Sequence, residues 1–225
     1  MADPDRQRLL YEIDYKRIVD DLAYDYDGTF SRATVERAVA DAHNALVAHA
    51  TVPDFLPVLV RRFAKDQLLA AAQAQGPMAK TTPEILFVCV HNAGRSQMAA
   101  ALAQHLSRGR VHVRSAGSQP TGQIHPLAVQ VLAEDGIELS EAFPKPLTET
   151  VVHAADVIVT MGCSDACPVF PGKRYLDWNT ADPAVQPLDV VRAIRDDIKT
   201  RVAILLAELL PTPTGIATDR EDRHD

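Results

Sequence analysis

Along the first 75 residues, apolar positions recur every three or four residues; beyond residue 83 that period gives way to short β-branched runs. The early spacing predicts three helices. Leu9, Ile13, Ile18 and Leu22 place the first over roughly Arg6 to Tyr24, stopped by Asp25-Tyr-Asp-Gly28. Val35, Val39, Ala42, Leu46 and His49 step along one face of the second. Ser31 is its expected N-cap, with Phe30 stapled against Val35. Leu56, Leu59, Val60 and Phe63 make the stripe of the third, which Pro53 opens near its first turn. Short connections between amphipathic helices predict a small antiparallel bundle over residues 1–76. His43 and His49 are spaced too widely for a metal pair on adjacent turns and read as surface or boundary residues, and Arg61-Arg62 reads as a solvated face.

Gly76, Pro77 and Pro83 break the periodicity, so residues 77–83 read as a linker. Ile85 to Val88 then predicts a buried strand, and Ser96 to Leu106 a helix. Val111 to Gly117 predicts a second strand. His125 to Gly136 predicts a helix with Pro126 at its start and Gly136 past its end. Leu147 to His153 is a short helix, Asp156 to Thr160 a third strand, and everything from there to Leu188 a long loop. Leu188 to Leu209 is a helix with Val191, Ile194, Ile198, Val202 and Leu205 on one face. The alternation predicts an α/β unit over 84–210, a parallel sheet flanked by helices, with its ligand beyond the carboxyl ends of the strands. Residues 211–225, polar and broken by prolines, are expected to be disordered.

The junction of first strand and following helix carries the chemistry. Cys89-Val90-His91-Asn92-Ala93-Gly94-Arg95-Ser96 puts a cysteine at a strand end and an Arg-Ser pair at a helix start. Such a loop turns several backbone N–H groups into one concavity, and the helix N-terminus adds its positive end. That suits a tetrahedral oxyanion. Cys89 stands at its floor, where the local dipoles favour the thiolate. Arg95 is placed to grip the anion with a bidentate fork, and Ser96 to donate to the sulfur. The expected reaction is attack by sulfur on a bound oxyanion.

Met161-Gly-Cys163-Ser-Asp-Ala-Cys167-Pro holds two more cysteines. They read as a metal half-site, as two inert buried thiols, or as a redox pair. The polar, small-residue loop favours the redox pair, which with Cys89 makes a relay of three thiols. Asp182, fixed in extended or turn geometry by Pro183, suits a general acid presented over the loop. Asp177 is the alternative.

Composition narrows the field. The 225-residue chain carries a formal net charge of -7, against a general nucleic-acid surface. No apolar run is long enough for a membrane span and no secretory signal opens the chain, so a cytoplasmic protein is expected, its thiols kept for chemistry. No heptad repeat suggests a coiled coil, so a monomer is expected.

Taken together, Cys89-Val-His-Asn-Ala-Gly-Arg-Ser-Gln-Met-Ala, Ser115-Ala-Gly, Asp156-Val-Ile-Val-Thr-Met-Gly-Cys and Asp182-Pro-Ala resemble the low-molecular-weight tyrosine phosphatase fold, and more closely its thioredoxin-coupled arsenate reductase branch. The N-terminal helices are similar to an extension carried by some actinobacterial members. Phosphatases of the fold usually have Pro after Arg-Ser and aromatics after Asp-Pro; this chain has Gln97 and Ala184-Val-Gln. The resemblance implies that Cys89 attacks arsenate, with water leaving through Asp182. Cys163 then attacks Cys89 and releases arsenite, and Cys167 moves the disulfide to Cys163–Cys167. Thioredoxin reduces it, drawing on NADPH through thioredoxin reductase, with no bound cofactor. It implies that residues 90–96 hold the oxyanion, with phosphate or sulfate competing. No metal is expected: relatives place a potassium-binding Glu where this chain has Ala100. Two other functions share these residues, a tyrosine phosphatase and a thiol-based metalloid or redox sensor.

Overall fold

The structure, a computed structural model, describes residues 4–47, 55–75, 82–120, 122–140, 142–162, 169 and 171–210, with residues 4–13 and 75 as backbone only. Pro53, His49, the linker centre, Cys163, Cys167 and the tail 211–225 lie outside them.

Three helices come first: α1 (Pro4–Asp25), α2 (Arg32–Val47) and α3 (Leu56–Gln75). Ile18, Leu22, Val35, Val39, Leu46, Val60 and Phe63 are buried in one core, as their spacing predicts. Each fully buried aliphatic side chain contributes about 1.5–3 kcal/mol. Ser31 caps α2, its Oγ accepting from the Thr34 N–H at 3.2 Å, and Phe30 packs at the edge of the same core. His43 meets Tyr15 edge-to-face, ring centroids 5.1 Å apart, at the boundary of the bundle. Arg62 departs from the expected solvated face: its guanidinium lies 6.0 Å from the ring centre of Phe143.

The second half follows as β1 (Glu84–Cys89), α4 (Arg95–Ser107), β2 (His112–Gly117), α5 (Pro126–Glu134), α6 (Glu149–Ala154), β3 (Val157–Thr160), β4 (Arg174–Asp177) and α7 (Leu188–Leu209). All four strands are parallel, in the order β2-β1-β3-β4. The strand β4 corrects the expected loop. Its four residues, Arg-Tyr-Leu-Asp, sit at a sheet edge with exposed ends, so no apolar run announces it.

The central strand β1 is buried along its whole length. Alternation sends Ile85, Phe87 and Cys89 to one face, with Met98 and Leu102 of α4, Val131 of α5 and Ile198 of α7. Leu86 and Val88 point to the other face, against Val151 and Ala154 of α6 and Ala70 of α3. Helix α3 therefore belongs to both cores: its first half closes the bundle and its second half roofs the sheet. Polar contacts mark the same seam. Arg114 of β2, buried, pairs with Glu84 and with Asp66 of α3, and donates to Gln73 Oε1 at 3.2 Å. Thr148, the N-cap of α6, donates to Gln67 Oε1 of α3 at 2.8 Å.

Candidate active site

The strand β1 ends at Cys89, and α4 begins six residues later at Arg95. The loop between them turns on Asn92, whose φ of 49° is left-handed; Asn tolerates that region better than most residues. The loop is also pressed from outside. A Cβ on Gly117, at the end of β2, would stand 2.7 Å from the Val90 carbonyl oxygen and 2.9 Å from the Asn92 nitrogen. Only a bare residue lets β2 run that close, which gives Ser115-Ala-Gly117 its physical reason.

Cys89 is buried. Its Sγ lies 2.9 Å from Ser96 Oγ and accepts from the Asn92 N–H at 3.2 Å. Asn92 Nδ2 donates to Ser96 Oγ at 2.8 Å. With that oxygen already accepting, the Ser96 hydroxyl proton is free to point at sulfur. Both Asn92 and Ser96 are fully buried.

A small cavity of about 30 Å³ opens on Cys89. His91, Ala93, Gly94, Arg95, His125, Asp182, Pro183 and Ala184 complete its described lining. Val90 stands just behind, its carbonyl accepting from the Gln119 N–H at 2.8 Å. Of the loop residues expected to hold an oxyanion, His91, Ala93, Gly94 and Arg95 line this cavity, while Val90, Asn92 and Ser96 are not in its described lining. Arg95 lines the same cavity as Cys89. Its Nη2 donates to Asp182 Oδ2 at 2.8 Å, and Asp182 Oδ1 accepts from the Ala184 N–H at 3.0 Å. Asp182 is thereby favoured over Asp177, whose carboxylate is taken by the Thr160 hydroxyl at 2.7 Å.

Three residues of this site escaped the sequence reading. His125 Nε2 lies 3.2 Å from the Ala184 carbonyl and so anchors the turn after Asp182. Gly162, with φ of 72°, lets Arg95 Nη1 lie 2.5 Å from where its Cβ would be. Gln97 Nε2 lies 3.0 Å from each of the Asn92 carbonyl, Asn92 Oδ1 and the Phe143 carbonyl. The residue types were visible in the sequence, but, Asn92 aside, their partners lie dozens of positions away.

Chemically, a thiol held by donors at the floor of a small concavity, with a guanidinium and a carboxyl at its rim, is built for attack on a small tetrahedral anion. No group of three or more His, Cys, Asp or Glu side chains suited to a metal ion occurs among the described residues, and no described helix is long and apolar enough to cross a membrane.

The low-molecular-weight phosphatase fold is the class that this sheet and loop define. The family model for low molecular weight phosphotyrosine protein phosphatase matches residues 84–212, and the chain belongs to that family. Residues 15–72 match a second model, the N-terminal domain of protein-tyrosine-phosphatase-like proteins. Within the family the chain is similar to the thioredoxin-dependent arsenate reductase of Corynebacterium glutamicum, at 43% identity and a TM-score of 0.78, over 87% of this chain and 95% of that one. A putative arsenate reductase of Halobacterium salinarum is 37% identical over 138 residues, 59% of this chain and 97% of its own length. A glutaredoxin arsenate reductase of Synechocystis is 33% identical over 129 residues, 56% of this chain and 98% of its own length.

Proposed function

We propose that the chain is an arsenate reductase working by a three-thiol relay and regenerated by thioredoxin. The observation that carries this is the Cys89 sulfur, held between Ser96 Oγ and the Asn92 N–H at a cavity lined by Arg95 and Asp182. The Cys163/Cys167 pair follows in the sequence after the β3 strand, whose end adjoins that of β1. The Corynebacterium relative's printed activity and reductant support the same reading.

In the proposed reaction the Cys89 thiolate attacks arsenic(V), and an arsenate oxygen leaves as water with a proton from Asp182. Arg95 exchanges Asp182 for the oxyanion and carries its charge, with the loop N–H groups of residues 90–96. The Cys163 thiolate then attacks the Cys89 sulfur. The sulfur–arsenic bond breaks, its electron pair stays on arsenic, and arsenite departs as arsenic(III). Cys167 attacks Cys163, freeing the Cys89 thiolate and leaving a Cys163–Cys167 disulfide. A thioredoxin dithiol supplies the two electrons that reopen it.

A tyrosine phosphatase would use the same first step with water in place of Cys163. The described lining of the cavity contains no Phe, Tyr or Trp side chain to grip a phenyl ring, and the residues after Asp182-Pro183 are Ala184 and Val185. The deciding experiment is NADPH consumption with arsenate, the protein, thioredoxin and thioredoxin reductase. Arsenate-dependent consumption that vanishes in Cys163→Ser supports the relay. Turnover of an aryl phosphate without arsenate-dependent consumption supports the phosphatase.

A further inference from the structure

The first three helices have no part in the chemistry proposed above, yet a continuous set of contacts joins them to the nucleophile. Phe143 lies in the connection between α5 and α6, and its ring packs against the bundle core rather than the sheet. Arg62 of α3 covers that ring at 6.0 Å, and Lys145 Nζ approaches it at 4.9 Å. The Phe143 carbonyl accepts from Gln97 Nε2 at 3.0 Å. Two residues on, the Lys145 N–H donates to Asn92 Oδ1 at 2.8 Å. Gln97, only 3% exposed, reaches both the carbonyl and the side-chain oxygen of Asn92. Asn92 in turn holds Ser96 Oγ and, through its N–H, the Cys89 sulfur.

We propose that Phe143 is a positioning residue for the oxyanion loop, through which helix α3 holds Asn92 and hence the donors on Cys89. The inference rests on Cys89 being the nucleophile of that loop. Its physical content is a division of labour. Asn92 sits in a left-handed backbone conformation that strains any residue but glycine to some degree. Its Oδ1 receives two donors, Gln97 Nε2 and the Lys145 N–H, and these fix the rotamer that aims Nδ2 at Ser96. Both donors are set by where the 143–145 segment lies. That segment is pinned by Phe143 on the bundle and, further along, by Thr148 on Gln67 of α3. If the ring is lost, the segment is free to drift from Gln97, and the Asn92 rotamer is no longer determined.

The test reads the loop in the folded protein rather than its stability. In a Cys163→Ser/Cys167→Ser background, Cys89 is the one thiol left to alkylate. Its second-order rate with iodoacetamide, and the phosphate concentration that protects it, are measured for Phe143→Ala. Phe143→Leu serves as the second variant should the first fold poorly, and Val39→Ala, buried on α2 in the bundle core, is the control. The expected result is alkylation slowed about tenfold in Phe143→Ala, weaker phosphate protection, and a smaller change of the same sign in Phe143→Leu. Val39→Ala loses melting temperature with both readouts unchanged. Wild-type alkylation and protection in the Phe143 variants, with only the melting temperature lowered, would overturn the proposal and leave the loop reading intact. Absence of phosphate protection in the unsubstituted background would overturn the loop reading, and the inference with it.

Discussion

Arg95 and Asp182 form an ion pair across the mouth of the cavity, Nη2 to Oδ2 at 2.8 Å, with the arginine side chain nearly buried and the aspartate half exposed. The guanidinium expected to hold the anion is thus held by the group expected to protonate the leaving oxygen. In the proposed reaction the carboxylate therefore competes with the substrate for Arg95 and assists its chemistry afterwards.

That dual role makes an asymmetric prediction for Asp182→Asn. Removing the negative charge frees Arg95 and lowers like-charge repulsion, so phosphate binds more tightly. Removing the acid slows arsenite release in a single turnover by roughly a hundredfold. Calorimetric phosphate titration and rapid-quench arsenite release check the two arms. A variant weakened in both would show that Asp182 orients Arg95 and does nothing more.

Gly162 separates backbone strain from collision. Gly162→Ala pays the cost of a left-handed alanine, about 1 kcal/mol, and drives its Cβ into Arg95 Nη1. Gly136→Ala has nearly the same φ, 73°, with nothing within 4 Å of the new carbon. Both variants should lose a similar few degrees of melting temperature, while only Gly162→Ala raises the KM for arsenate.

The relay predicts different stopping points for the three cysteines. Cys89→Ser gives no arsenite at all. Cys163→Ser does not turn over. Cys167→Ser releases about one arsenite per enzyme and then stalls at the Cys89–Cys163 disulfide. Wild-type thioredoxin-driven turnover by Cys167→Ser would rule the three-thiol order out.

Glu84 supplies a pH signature remote from the cavity. Burial by itself raises its carboxyl, but His112, whose Nδ1 lies 3.5 Å away, and the Arg114 charge prevail and hold it below the usual range. A depressed folded value contributes stability above the unfolded value of about 4.3, and that stability is lost as pH falls through the lower folded value. Glu84→Gln should cost about 3 kcal/mol at neutral pH by leaving buried Arg114 short of a carboxylate. Its melting temperature should then fall less steeply than wild type below pH 4. A parallel acid limb in the two proteins would remove Glu84 from the account.

What the sequence made legible divides along the range of the contacts. Cys89, Arg95 and Ser96 stand within one loop, so strand period, loop length and helix start place them without tertiary knowledge. Asp182 was marked by the proline after it. Gln97 and His125 were seen only as residues beside a motif or at a helix start, because each acts on a carbonyl 46 and 59 residues away. The strand β4 was hidden by polar ends that a sheet edge tolerates. Arg62 read as solvated because the aromatic ring beneath it comes from the far side of the linker.

The double membership of α3 bears on how this chain can be divided. A catalytic half begun near residue 82 would lack Ala70 over Leu86 and Val88, and would lack Asp66 and Gln73 around Arg114. It would carry a bare apolar roof into water and leave Arg114 with Glu84 but without its α3 partners. Such a fragment of this chain should be sticky and short-lived, so its two halves are best expressed and engineered together.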